Sequence, residues 1–240
     1  MIKAVLFDFG QTLVDSADGF RAAEKAVKNS IYADLCHGDE SVCGDDFLAE
    51  YRLLRKVFHE QSRFSRVALW QAVYERYGKR PDLGRLEEWE SEYWAQVKER
   101  TVAFSETLSV LEKLARRFKL GLVTNTQGQS TSGGHRIGLF PQIECFFESI
   151  IVAGEAGVPP KPDPLPFHLC LERLGVSAHE AVYVGDDWRI DICGAREAGL
   201  RPVWLKHSAV KRNWPDVEAT VPVVTSLDSL LEMDFGALKP

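Results

Sequence analysis

The 240-residue sequence has no long apolar run and no dense cluster of basic residues. A membrane-spanning helix needs roughly 18 consecutive apolar residues, and no segment approaches that length. The formal net charge of −6 does not favour general binding to nucleic acid, whose phosphates are contacted by lysine and arginine. We therefore expect neither a membrane nor a nucleic acid as partner.

Cysteine is scarce and irregularly spaced, and the chain contains no internal repeat or low-complexity tract. An odd number of cysteines, five, indicates free thiols in a reducing compartment. Cys36, His37 and Cys43 lie close together, but their spacing matches no common zinc motif. Strand-like sequence begins within the first residues, so we expect no signal peptide and a cytoplasmic location.

What the chain does contain is an alternation of short apolar runs and helical patterns. The first run, Ala4 to Phe7, is typical of a strand buried on both faces. Further strands are predicted over 120–123, 150–152, 181–184 and 202–205, and helices over 109–118, 166–174 and 190–198. This order predicts the α/β class, a Rossmann-like parallel sheet with helices on both faces.

A long helical segment interrupts that alternation after the first strand. Apolar residues recur at helical spacing from Phe20 to Val97, and loop-forming residues separate four such stretches. We interpret the many aromatic residues there as core packing. The prediction is therefore a catalytic core of residues 1–16 and 101–240 and a helical subdomain of residues 17–100.

Polar and charged residues follow the first four predicted strands, at the strand end itself in every case except Lys161, which follows the third strand at a distance. They are Asp8, Thr124, Asn125, Lys161, Asp186 and Asp187. Because parallel strands bring their carboxyl ends to one edge of the sheet, we expect these side chains to converge. Such a set suits an oxyanionic substrate bridged by a hard cation such as Mg²⁺, and an aspartate can attack it to form a covalent intermediate.

Four motifs in this order resemble the haloacid dehalogenase-like hydrolase superfamily. They are Phe7-Asp8-Phe9-Gly10-Gln11-Thr12-Leu13, Val123-Thr124-Asn125, Lys161-Pro162-Asp163-Pro164 and Val184-Gly185-Asp186-Asp187-Trp188-Arg189-Ile190-Asp191. The resemblance extends from Ile2 to about Leu231. It implies that the helical segment is a cap that closes over the active site.

The resemblance implies roles in catalysis for three of the motif residues. Asp8 is expected to be the nucleophile, Thr124 to donate to the transferred group, and Lys161 to hold the charges of nucleophile and substrate together. Three further residues are expected to contact the substrate: Gln11, Thr12 and Asn125.

The resemblance also implies a Mg²⁺ site. Its ligands are expected to be Asp8, the backbone carbonyl of Gly10, and Asp186. Asp191 is expected to bond a metal-bound water or Lys161, and Asp187 to support the acidic set.

The sequence departs from most phosphatases of this superfamily at Gly10, where they carry a second aspartate. That carboxyl protonates the leaving group, and general acid–base catalysis contributes roughly 10²–10⁴-fold. Three alternatives follow. The first is an Mg²⁺-dependent phosphatase of a small phosphorylated metabolite acting through an aspartyl phosphate. The second is a 2-haloacid dehalogenase or a phosphonatase-type hydrolase. The third is a binding or regulatory relative with low turnover.

Specificity is expected to depend on the cap. Candidates for binding an anionic substrate tail are basic residues that otherwise form a solvated helix face: Arg52, Arg55, Lys56, His59, Arg63 and Arg66. The segment Gly128 to Gly134 is compatible with a mobile loop beside the site or with simple turns. The pattern is compatible with a monomer or a homodimer.

Overall fold

The computed structural model describes residues 1–37, 44–126, 135–217 and 220–238. These residues form two compact units. The first contains residues 1–17, 101–126 and the described residues from 135 onward; the second contains the described residues of 18–100. No helix in the described ranges has the length and apolar character that crossing a membrane requires.

Strands and helices alternate along the chain, with four consecutive helices after the second strand. In chain order the elements are β1 (Ala4–Phe7), β2 (Val14–Asp15), α1 (Ala17–Cys36), α2 (Gly44–Glu60), α3 (Arg66–Arg76), α4 (Leu83–Glu99), β3 (Val102–Ala103), α5 (Thr107–Ala115), β4 (Lys119–Asn125), α6 (Pro141–Glu144), β5 (Ser149–Ala153), α7 (Leu165–Leu174), β6 (Ala181–Gly185), α8 (Gly194–Glu197), β7 (Arg201–Leu205), β8 (Val223–Val224) and α9 (Ser229–Glu232).

Six strands of the first unit form a parallel sheet in the order β5-β4-β1-β6-β7-β8. The predicted α/β class is confirmed, and β1 lies at the centre between β4 and β6. The prediction of five strands was incomplete, because β8 is only two residues long. The antiparallel pair β2–β3 was missed for the same reason. A two-residue strand is too short to establish an apolar period.

Alternate residues of the central strands enter two separate cores. Val5 and Phe7 pack in a core with residues of α5, whereas Leu6 packs in another with residues of α7. Side chains of successive strand residues point to opposite faces, so both faces of the sheet are covered. This double burial explains why the strands read as continuous apolar runs.

Two helices of the first unit differ in their bounds from the prediction. The helix predicted over 109–118 is α5, which begins two residues earlier and ends at Ala115. The helix predicted over 190–198 begins as a π-helical turn, Trp188–Cys193, followed by α8. Asp187 sets this earlier start, because its Oδ1 accepts the N–H of Ile190 and its C=O accepts the N–H of Ile192 five residues on.

The helical unit has its own core. Trp70, Tyr93 and Trp94 are buried in a single cluster with residues from α1 and α2, which confirms that the aromatic residues pack the interior. The rings of Tyr93 and Trp94 meet edge to face, with centroids 5.3 Å apart. Such pairs contribute roughly 0.5–1.5 kcal/mol beyond their buried area.

Candidate active site

Asp8 lies immediately after the central strand β1. Its N–H donates to the carbonyl of Val184 at 2.9 Å, which extends the sheet pairing by one residue. The chain then turns back at Gly10 and Gln11, and Gln11 has a φ of 60°. The turn is closed by the N–H of Leu13, which donates to the carbonyl of Phe9 at 2.9 Å. Asp8 is therefore fixed at the sheet edge, with its side chain 11% exposed.

The ammonium group of Lys161 lies among four oxygen atoms. It donates to Asp8 Oδ1 at 2.8 Å and to Asp191 Oδ1 at 2.7 Å, and its other neighbours are the Tyr183 hydroxyl at 2.7 Å and the carbonyl of Val123 at 2.9 Å. Burial lowers the pKa of Lys161, but the charges of Asp191 and Asp8 outweigh it and raise the pKa overall. Lys161 is therefore a fixed cation against the expected nucleophile.

Asp191 is held by the backbone of its own loop. Its Oδ2 accepts the N–H groups of Asp186 at 3.1 Å and of Asp187 at 2.9 Å. Gly185 permits this approach, because a Cβ at that position would lie 2.5 Å from the Asp191 side chain. Burial raises the pKa of Asp191 to about 6, against the opposing charge of Lys161.

Asp8, Asp186 and Asp191 form a buried group of carboxylates. Each offers one oxygen, and these three oxygens lie within 4.8 Å of one another. Burial and the charge of Asp191 raise the pKa of Asp186 well above its ordinary range. A cation would relieve this repulsion, and carboxylate oxygens are the ligands that Mg²⁺ prefers. Because Asp191 already accepts from Lys161 and two N–H groups, Asp8 and Asp186 fit Mg²⁺ best.

Arg212 contributes a cation to the same acidic set. Its guanidinium pairs with Asp186 Oδ2, and its second nitrogen lies 3.6 Å from Asp187 Oδ2. The Arg212 guanidinium also lies 4.8 Å from the centroid of the Trp214 ring. Arg212 was not predicted from the sequence, because a basic residue in a polar loop carries no pattern that distinguishes it from a solvated one.

Asn125 and Thr124 follow one another at the end of β4. Both polar atoms of the Asn125 amide bond the backbone of Lys161. Thr124 Oγ1 lies 3.5 Å from Nε2 of His135. Since Nδ1 of His135 accepts the N–H of Ile137, Nε2 carries the proton of the neutral ring and faces Thr124. Burial, reinforced by the charge of Arg136, lowers the pKa of His135 to about 3.

The remaining predicted contact residues lie in the turn after Asp8. Thr12 is fully buried, and its hydroxyl has no hydrogen-bond partner within the described part of the chain. The Gln11 amide, oriented to satisfy both of its polar atoms, lies 3.2 Å from Asp15 Oδ1 and from the N–H of Ala17. Their role in substrate binding stays a prediction.

Tyr183 belongs to the site and was not singled out from the sequence. It lies in the buried strand β6, where it resembles a core residue. Its hydroxyl donates to the carbonyl of Val123 at 2.9 Å and lies 3.2 Å from Asp191 Oδ1. The sequence offered one signal for this residue. A tyrosine in a strand predicted to be buried needs a hydrogen-bond partner for its hydroxyl.

Several basic residues proposed to bind the substrate have partners within the helical unit. Arg55 pairs with Glu24 at 3.3 Å, and Lys56 with Glu60 at 3.8 Å. The guanidinium groups of Arg63 and Arg66 lie over aromatic rings of α2 and α4.

The segment Gly128 to Gly134 and Cys43 lie outside the described residues. The four cysteines that are described, at positions 36, 145, 170 and 193, are free thiols.

Residues 2–199 match the model of the haloacid dehalogenase-like hydrolase family. The chain is 31% identical over 227 residues to a glyceraldehyde 3-phosphate phosphatase of Methanopyrus kandleri, covering 92% of this chain and 91% of the relative. It is 27% identical to the N-acylneuraminate-9-phosphatase of Rattus norvegicus, over 86% of this chain and 84% of that protein.

A solved structure is similar over nearly the whole chain. The crystal structure of 2-haloacid dehalogenase from Pseudomonas syringae pv. Tomato DC3000 has a TM-score of 0.62 and 28% sequence identity, covering 97% of each chain.

Proposed function

The chain belongs to the haloacid dehalogenase-like hydrolase family, and we propose that it is a phosphatase of a small phosphorylated metabolite with Asp8 as nucleophile. The observation that carries the proposal is the contact between Lys161 and Asp8 at 2.8 Å, at the carboxyl edge of a parallel sheet. A buried carboxylate at this edge, held beside a fixed cation, is suited to attack an oxyanionic substrate.

In the proposed reaction, an oxygen of the Asp8 carboxylate attacks phosphorus and the leaving group departs. Lys161 balances the charges of Asp8 and of the phosphoryl oxygens, and Asp191 keeps Lys161 in place through its 2.7 Å contact. Thr124 is oriented by His135 and donates to a phosphoryl oxygen. Water then hydrolyses the aspartyl phosphate and returns the Asp8 carboxylate.

The acidic set would hold Mg²⁺ through Asp8, the backbone carbonyl of Gly10, and Asp186. When bound, the ion supplies positive charge that offsets the repulsion between carboxylates and phosphate. The buried carboxylates of Asp8 and Asp186, and the raised pKa of Asp186, support this assignment.

The test is release of phosphate from 4-nitrophenyl phosphate with and without Mg²⁺. We expect the wild-type protein to turn over this substrate and Asp8→Asn to lose activity by about 10⁴-fold or more, because removal of a nucleophile abolishes the covalent route. Asp234→Asn is the matched control, since its side chain caps a short helix at the C-terminal end of the chain. Phosphate release that is equal in Asp8→Asn and the control would refute the proposal.

A second candidate is a 2-haloacid dehalogenase. The observation in its favour is Gly10, because displacement of halide requires no proton donor, together with the similarity to a solved dehalogenase. The buried set of Asp8, Asp186 and Asp191 favours the metal-dependent phosphatase instead. Halide release from a 2-haloacid, lost in Asp8→Asn, with no phosphate release from aryl phosphates, would reverse this order.

A further inference from the structure

Arg136 is a buried cation next to the turn that follows Asp8. Only 1% of its surface is exposed, although arginine is among the residues least often buried. Its Nη1 donates to Ser16 Oγ at 2.6 Å, and its guanidinium carbon lies 5.8 Å from the centroid of the Phe9 ring. The residue begins a short 3₁₀ helix, Arg136–Leu139, that His135 caps. Arg136 is therefore anchored by Phe9, which precedes Gly10 in the sequence, and by Ser16, which follows it.

The guanidinium lies where a side chain of residue 10 would extend. A Cβ added to Gly10 would be 3.4 Å from Nη2 of Arg136, the distance of ordinary contact. A carboxyl at that position would reach this guanidinium and pair with it, which would keep the carboxyl ionised and unable to give up a proton. Gly10 and Arg136 therefore form an arrangement in which a fixed positive charge stands beside the position of the missing acid.

We infer that Arg136 is a catalytic residue that contacts the leaving-group oxygen and stabilises its negative charge without protonating it. This inference rests on the proposed phosphatase function and narrows its substrate class. A guanidinium stays protonated in proteins, so it cannot replace the acid as a proton donor. A preorganised cation in a buried site stabilises developing charge far more than it would in water.

The proposed reaction has two steps, attack on phosphorus by Asp8 and then attack by water. The Asp8 carboxylate forms a bond to phosphorus, and the bond from phosphorus to the leaving oxygen breaks with its electron pair on that oxygen. The leaving group departs as an oxyanion beside Arg136 and takes a proton from solvent after release. Water then attacks phosphorus, which frees the Asp8 carboxylate and gives inorganic phosphate, and the proton of that water passes to solvent.

This chemistry selects substrates whose leaving group is stable as an anion. Aryl, enol and acyl phosphates belong to this class, whereas a simple alkoxide leaves poorly unless it is protonated. The enzyme is therefore specific for phosphorylated metabolites with an acidic leaving group, and simple alkyl phosphates are poor substrates.

The experiment compares kcat/KM for a series of aryl phosphates, from 2,4-dinitrophenyl to phenyl phosphate, in wild-type, Arg136→Met and Arg136→Lys proteins. For Arg136→Met we expect a loss of about 10²-fold with phenyl phosphate, and of less than about tenfold with 2,4-dinitrophenyl phosphate, because the poorer leaving group needs the cation more. Arg136→Lys keeps the charge and should recover part of the loss. Arg116→Met removes an exposed arginine of the same unit and is the matched control.

Gly10→Asp tests the same inference with Arg136 intact, and so does not depend on the folding of an Arg136 variant. We expect the introduced carboxyl to pair with Arg136, so that turnover of alkyl phosphates does not rise. In the double variant Gly10→Asp with Arg136→Met, alkyl turnover should rise above that of either single variant.

The outcomes separate this inference from the function on which it rests. If no aryl phosphate is hydrolysed in an Asp8-dependent way, the phosphatase function and the role of Arg136 both fall. If hydrolysis depends on Asp8 but Arg136→Met reduces every substrate by the same factor, Arg136 has a structural role and this inference alone is overturned. A rise in alkyl turnover in Gly10→Asp alone would also overturn it.

Discussion

The amide of Asn125 holds the backbone of Lys161 at two points. Its Oδ1 accepts the N–H of Lys161 at 2.7 Å, and its Nδ2 donates to the carbonyl of Lys161 at 3.2 Å. Asn125 ends β4 and Lys161 lies in the loop before α7, so this pair joins a strand to the loop that carries the active-site cation. Asn125 therefore positions Lys161, and the Lys161 ammonium group in turn contacts Asp8.

Replacement of Asn125 by alanine should therefore lower kcat more than it raises KM. Loss of both contacts frees the loop, and a displacement of 1 Å at a catalytic group costs about 10²-fold in rate. We expect kcat for an aryl phosphate to fall by about that factor, with KM changed less than about threefold. Steady-state kinetics of Asn125→Ala check this. A rise in KM with kcat unchanged would instead support the substrate-binding role predicted from the sequence.

Gly185→Ala should disrupt the site by displacing Asp191. The added Cβ would lie 2.5 Å from atoms of Asp191, so Asp191 must move away from the N–H groups of Asp186 and Asp187. We expect a loss of activity of about 10²-fold and a decrease of about 1–3 kcal/mol in the free energy of unfolding. Kinetics and urea unfolding measure the two effects.

The control for this substitution is Gly138→Ala. A Cβ at Gly138 meets no atom within 4 Å. The free energy of unfolding of the Gly138→Ala protein should therefore differ from that of the wild type by less than about 0.5 kcal/mol. Equal effects of the two substitutions would contradict the importance that we give to the contact between Gly185 and Asp191.

Arg212→Gln should strengthen the binding of Mg²⁺. The Arg212 guanidinium pairs with Asp186, so a divalent cation on the same carboxylate is repelled by it. Because the Arg212 side chain is 33% exposed, solvent screens much of this effect, and we expect the apparent Kd for Mg²⁺ to fall only about three- to tenfold. The Mg²⁺ dependence of phosphate release gives this constant. Lys211→Gln is the control, and weaker binding in Arg212→Gln would indicate that Arg212 orients Asp186 for the metal.

Which residues of the site were predictable from the sequence follows from how each one is positioned. Asp8 and Asp186 follow continuous apolar runs, so the sheet rule alone brings them to one edge. Lys161 follows the third predicted strand and was placed at the same edge, although its role came only from the resemblance of its motif. Arg212 lies in a loop and Arg136 begins a 3₁₀ helix of only four residues, and no periodic pattern specifies where such segments place a side chain.

The elements of the fold that could be predicted are likewise those with a continuous apolar pattern. Strands of four or more residues buried on both faces were predicted, because their apolar character is continuous. The π-helical turn at Trp188–Cys193 was not, because it depends on the side chain and carbonyl of Asp187 and not on an apolar period.

The stability of the folded protein should depend on pH through His135. Burial lowers the pKa of this histidine to about 3 in the folded protein, whereas an unfolded chain has a histidine pKa of about 6.5. Between these values the unfolded chain takes up a proton that the folded protein does not. Stability is therefore fully present above pH 6.5 and is lost as the pH falls, by up to about 1.4 kcal/mol per pH unit.

His135→Asn should remove this contribution, because asparagine does not titrate and still offers an oxygen to cap the helix that begins at Arg136. Urea unfolding between pH 7 and pH 4.5 should thus show a shallower loss of stability in His135→Asn than in the wild-type protein. His179→Asn replaces an exposed histidine and should keep the wild-type slope. Identical slopes in all three proteins would mean that His135 is protonated in the folded state as in the unfolded chain. The assignment of a neutral ring that faces Thr124 would then be wrong.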